Sequence, residues 1–290
     1  MMELFRKKED MVCRQPERVK KENFWTVYGI PIALVIICMF LTFTTRSFLT
    51  VDNWLNILRQ ISIISIAAIG TTLILISGGM DISMGAVMAA AGITSIALIV
   101  HGKISFIIAI AAALLVGCLT GVVNGFLSTK VKIPPFIATL GTMQILRGIG
   151  FVYTGGYSLY GDNIPEQFTA LGRGYLGIIP VPVVIMLIMF GIFYVIGNYT
   201  KLGVYTYAIG CNEKASKLSG IDVNKVKFIL YVIGGFMSAV AGVILSARLM
   251  SAQAGAGTGA NLISLLRSCS EVPAFTEEKG KSSARCSGQS

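Results

Sequence analysis

Seven stretches of this chain are apolar enough and long enough to cross a bilayer: residues 25–45, 61–77, 85–100, 104–127, 135–153, 177–197 and 228–248, read in windows of roughly 20 residues. Hydrocarbon offers no partner to a peptide N–H or C=O, so each stretch is driven into a helix that satisfies its own backbone. Composition points the same way: mean hydropathy is +0.75 with 13% charged residues, where a soluble domain carries about a quarter. The expected fold is all-α, a polytopic helical bundle integral to the membrane.

Charge orients the bundle. With the N-terminus in the cytosol, the inside segments 1–24, 128–134 and 198–227 hold fourteen Lys or Arg, against four (Arg46, Arg59, Lys103 and Arg173) outside. The net charge of +10 is thus met by the anionic inner leaflet. No interleaved basic and aromatic stripe suggests nucleic acid. The basic N-terminus of 1–24 precedes an apolar run, Phe24 to Phe43, too long for a signal peptide, and Arg46-Ser47-Phe48 is no small-residue cleavage site. It reads as a retained first span. Cys13, Cys38, Cys118, Cys211, Cys269 and Cys286 contain no CxxC pair, so no disulfide or metal framework follows.

Between the last two apolar runs lies a polar, basic island, Lys201 to Lys227, with five lysines against Glu213 and Asp222. Asn212 is a cap-type residue, Glu213 places an acid in the first turn, and Gly220 suits a C-cap, so residues 212–218 predict a short amphipathic helix facing the cytosol. Together with GGMDISMG (Gly78 to Gly85), VVNGFLSTKVKIPPFIATLGTMQILRG (Val122 to Gly148) and ARLMSAQ (Ala247 to Gln253), the YAIGCNEKASKLSGI run (Tyr207 to Ile221) resembles the permease subunits of ribose-type ATP-binding-cassette sugar importers. The likeness covers about Trp54 to Leu262.

The resemblance implies a permease of about ten spans in its full-length members, set in the bacterial cytoplasmic (inner) membrane and moving a monosaccharide such as ribose. It implies a cytosolic ATPase, an extracytoplasmic sugar-binding protein, a second permease copy in a homodimer, and surrounding lipid. The ATPase would dock on the loop 198–227, through Gly210, Asn212, Glu213, Ala215, Leu218, Ser219 and Gly220. The sugar path would pass Asp81, Ser83, Asn124, Phe136 and Thr139.

Asp81 carries two open readings. The glycines at Gly78 and Gly79 suit a broken helix whose polar groups line a gate, and an Asp ahead of an apolar run equally suits a helix cap. Pro134 and Pro135 end a cytoplasmic turn and start a helix. Asn124, Thr139, Thr142 and Gln144 could meet sugar hydroxyls, but interhelical hydrogen bonding is the favoured use of any single one. Arg147 and Arg248 are placed similarly to Asp81, with snorkelling to the interface as the plain account of each. Small residues at Ala67, Ala68, Gly70, Gly85, Ala89 to Ala91 and Gly92 predict close helix contacts.

An enzyme is disfavoured. His101 is the single histidine, which removes a multi-His metal site, and Gly280-Lys281-Ser282 lacks the first glycine of a phosphate loop, Phe275 standing there. No cofactor is implied. A secondary transporter would need more intramembrane ionisable groups than Asp81 and two arginines. Other pentoses, hexoses or nucleosides remain alternative cargo, and an inactive truncated permease is the alternative state.

The organisation expected is a basic N-terminus at 1–24, a permease domain at 25–262 and a tail at 263–290. Beyond Leu262 the family pattern continues with a glycine-rich GGTSL-type motif and further spans, whereas this tail is too polar to span. A reading one base out of phase accommodates that motif. A frameshift near Leu262, and a chain left inactive or unstable by the missing spans, is the expectation, and resequencing the DNA checks it.

Overall fold

The computed structural model describes residues 24–45 and 47–258. Expectations for residues 1–23, Arg46 and 259–290, including the tail, its boundary at 262 and Cys13, Cys269 and Cys286, lie outside the described residues. The chain divides into two compact units at Gln60.

Among the described residues are ten helices: α1 (Phe24–Thr44), α2 (Val51–Ile76), α3 (Met84–Val100), α4 (Phe106–Thr129), α5 (Pro135–Thr154), α6 (Glu166–Arg173), α7 (Val181–Tyr199), α8 (Lys201–Cys211), α9 (Glu213–Leu218) and α10 (Val223–Leu249). Four two-residue strands, β1 (Leu159–Tyr160), β2 (Tyr175–Leu176), β3 (Ile179–Pro180) and β4 (Ser251–Ala252), form two antiparallel pairs, β1 with β4 and β2 with β3. The fold is helical, as expected. Five helices, α2, α4, α5, α7 and α10, are long and apolar enough to cross a membrane by length and composition, and α3 and the Ile32–Thr44 stretch of α1 are shorter apolar helices.

The boundaries differ from the sequence reading in three places. Helix α2 starts at Val51, well ahead of the expected 61, because Asp52 favours a first turn and neither proline nor glycine lies between Val51 and Ile69. The outer segment 154–176 contains α6, and the loop 198–227 contains α8 as well as the expected short helix. Both additions are short, eight and eleven residues, and no long apolar run announces them.

In the second unit the core gathers around α10. In its most apolar stretch 61% of residues are buried, against 11% for α7, so α10 is the central post and α7 the peripheral one. Lipid supplies no hydrophobic drive between helices, and association rests on close backbone approach. The spacing Gly117-x-x-x-Gly121-x-x-x-Gly125 gives α4 a smooth face against α10. A Cβ on Gly121 would stand 2.4 Å from the Tyr231 carbonyl oxygen, and one on Gly235 would stand 2.2 Å from that of Gly117. On its other side α10 meets α3, where Gly242 abuts the Met88 backbone and the hydroxyls of Ser95 and Ser246 lie 3.2 Å apart.

Gly121→Val forces α4 from α10 at a cost of about 1–3 kcal/mol or more. Lower membrane abundance and earlier aggregation on heating in detergent are expected. Gly148→Ala, at a site with nothing within 4 Å, leaves both unchanged.

Candidate functional site

Helix α2 stops by a defined device. Gly78, at φ +74°, donates its N–H to the Leu75 carbonyl and Gly79 donates to that of Ile74, both at 2.9 Å, which is the Schellman arrangement that closes a helix on a left-handed residue. The chain then runs without helix through Met80 to Ser83 before α3 begins. At 17 residues α3 is about 26 Å long, short of a roughly 30 Å hydrocarbon core.

The break holds a buried polar chain. The Asp81 carboxylate accepts from the Ser83 amide at 2.8 Å and from the Ser83 hydroxyl at 2.6 Å. Asn124 of α4 donates its Nδ2 to the Ser83 Oγ at 2.9 Å, and Thr142 of α5 donates to the Asn124 Oδ1 at 2.7 Å. Thr139 accepts from the Ile82 amide at 3.4 Å and donates to the Pro135 carbonyl at 2.8 Å. From α10, the Tyr231 hydroxyl donates to the Met80 carbonyl at 3.1 Å. Asp81, Ser83, Asn124, Thr139, Thr142 and Ser77 are all buried.

Four of the expected path residues, Asp81, Ser83, Asn124 and Thr139, therefore meet at one end of the bundle. Phe136 lies one turn before Thr139 and is exposed, outside this chain of bonds, and Gln144 is exposed as well. Asn124 and Thr142 are used for interhelical bonding. Ser83, not Asp81, occupies the cap position of α3, and Asp81 bonds two residues forward in the manner of an Asx turn. Tyr231 and Met80 were not singled out from sequence. A tyrosine within an apolar span was the available signal, because a buried phenol needs a partner.

Beside the break sits the basic loop. Thr200, Asn212 and Asp222 cap α8, α9 and α10 in turn, their side chains accepting from the amides of Gly203, Ala215 and Lys225. The expected cap at Asn212 and the left-handed Gly220, at φ +84°, are both present. Gly210 packs so tightly on the end of α2 that a Cβ would stand 1.9 Å from the Ile76 carbonyl oxygen. Glu213 pairs with Lys227 of α10 at 2.7 Å. Around them Asn212, Ala215 and Ser219 are exposed, Leu218 is 90% exposed, and Ser216 is buried.

Apolar spans, a broken helix with a buried carboxylate, and a capped polar helix outside them define a multi-pass membrane transport component. Over residues 53–266 the chain matches, and belongs to, the family described as branched-chain amino acid transport system / permease component. It is the permease subunit of an ATP-binding-cassette importer in the bacterial inner membrane. It is 42% identical over 234 residues to the ribose import permease protein of Haemophilus influenzae, covering 80% of this chain and 72% of that one. The ribose import permease protein of Bacillus subtilis is 39% identical over 250 residues (86% and 77%), and the L-arabinose transport system permease protein of Escherichia coli is 36% identical over 241 residues (83% and 73%). No solved structure matches the chain.

Asn accepts as Asp does, so Asp81→Asn preserves both bonds to Ser83 and removes only the charge. Normal membrane abundance with solute uptake reduced about tenfold, or ~1.4 kcal/mol, is expected. Uptake at the wild-type rate assigns Asp81 to the turn alone. Asn124→Ala removes the link between Ser83 and Thr142, which keep their bonds to Asp81 and to the Thr139 carbonyl, and lowers thermal stability by about 1 kcal/mol.

Proposed function

We propose that this chain forms the membrane path of a monosaccharide importer with ribose as its cargo, driven by a separate cytosolic ATPase that docks on α8 and α9. The observation that carries the docking is Leu218, a large apolar side chain 90% exposed at the end of a polar helix on the basic side of the bundle. Such a group is costly in water and suits the cleft of a protein partner. Gly210, Asn212, Glu213, Ala215, Ser219 and Gly220 frame it. Cargo of the ribose class rests on the names of the relatives. A sugar-binding protein on the opposite face, a second copy of the chain and surrounding lipid complete the assembly.

The geometry offers a route from the ATPase to the path. Glu213 is tied to Lys227, and Tyr231 follows Lys227 by one helical turn on the same face of α10. Its hydroxyl holds the Met80 carbonyl beside Asp81. Gly210 bears on the end of α2, where the same break begins. Movement of α9 thus reaches the break from both sides.

Co-expression with the ATPase and binding protein is expected to give ATP-dependent ribose uptake that excess arabinose inhibits weakly. Leu218→Asp abolishes that uptake with normal abundance of the permease. In a chain without native thiols, Ser219→Cys cross-links to the ATPase. Ser216, though also polar, is a poor cross-linking position because it is buried. Cross-links to the ATPase only from residues 154–176 overturn the docking.

A further inference from the structure

Arg147 lies twelve residues into α5, about 18 Å along a helix of about 30 Å. Its Nε and Nη2 are buried and have no hydrogen-bond partner among the described residues. Snorkelling does not account for this edge of the half-buried side chain, because these two nitrogens do not reach water. Two buried cationic donors without acceptors are costly, and an ionisable group at such depth marks a solute path or a polar interior.

The inward face of α5 identifies what lies opposite. Met143, one turn before Arg147, packs with Ile82 and Ala86 at the start of α3. Gly150, one turn after it, is so close to Ala254 that an added Cβ would stand 3.2 Å from the Ala254 Cβ. Arg147 shares this face by helical spacing. Ala254 belongs to a second non-helical segment. Met250, at φ +53°, ends α10 and turns the chain back; Ala252 lies against Gly92, and Gly257 against the Gly85 carbonyl. The segment thus descends beside α3 for about 10 Å, toward the break at Gly78 to Ser83. Irregular backbone at bilayer depth is tolerated where it is covered by protein or lines water. Two such segments flank the face of α5 that carries these two unpaired donors.

We infer that Arg147 is a cargo-contacting residue of the translocation path, donating from its planar fork to adjacent hydroxyl oxygens of an uncharged sugar. The spacing of the guanidinium N–H groups suits paired oxygen acceptors. A neutral polyol leaves the charge in place, so the arginine returns to water or to its dry state as access alternates. The assignment of a sugar rests on the importer reading above; the assignment of a path does not.

Two measurements on the permease assembled with its ATPase and binding protein decide the matter. Arg147→Met removes an unpaired charge, so the complex is expected to melt no lower than wild type while ribose uptake falls more than tenfold. A lower melting temperature shows a structural partner and overturns the inference. In a chain without native thiols, Arg147→Cys is expected to react with a charged, water-soluble methanethiosulfonate during ATP turnover, and ribose-loaded binding protein slows the reaction several-fold. Val152→Cys, on the exposed face of the same helix, stays unlabelled. No labelling at 147 overturns the path, and labelling that ribose leaves unchanged overturns the contact with sugar. Labelling of Arg147→Cys, where the wild-type complex is found to carry no ribose, sinks the ribose reading alone and supports the path.

Discussion

Lipid gives a peptide group nothing to bond to, and every departure from helix in this protein is arranged around that constraint. Where α2 stops, its last carbonyls are taken up by Gly78 and Gly79, and the residues beyond them are held by Asp81, Ser83, Thr139 and Tyr231. Five different helices thus contribute hydrogen bonds or flanks to one seven-residue interruption. The polar chain from Thr142 to Asp81 stabilises an opening in the helical pattern and gives that opening a shape.

The same constraint explains the glycines. Helices that gain little from excluding water hold together by approach, and α10 approaches α4 at Gly117, Gly121 and Gly235 and α3 at Gly242 until backbone touches backbone. A rigid central helix follows, in contact at its lower end with α9 through Lys227 and Glu213. Force applied to so short and well capped a helix as α9 has few soft joints in which to dissipate before it reaches Tyr231.

Much of this was legible in the sequence, for identifiable reasons. Apolar runs disclose spans because helix is the one solution open to them, and Asn212, Gly220 and the Pro134-Pro135 pair disclose boundaries because each fixes a backbone geometry. The meeting of Asp81 with Asn124 and Thr139 was anticipated only as a list of polar residues. Which of them bond to each other depends on how α3, α4 and α5 are rotated, and the rotation of α3 and α4 is set by glycine contacts with α10 that lie over a hundred residues away. The face of α4 built from Gly117, Gly121 and Gly125 passed unremarked for the same reason. A glycine spacing names one half of an interface and leaves its partner unstated.

The post around which α3 and α4 pack is also the last of them to be made. Helix α4 ends at Thr129 and α10 at Leu249, so the ribosome adds about 120 residues between them, which takes roughly 6 to 24 s at ordinary elongation rates. During that interval the glycine face of α4 and the carboxylate of Asp81 stand in the membrane without the helix that shelters them. The nascent bundle therefore has a window in which an insertion chaperone must cover it or a membrane protease can sample it. Production of this protein is governed by how fast synthesis reaches Leu249 as well as by how stable the finished bundle is.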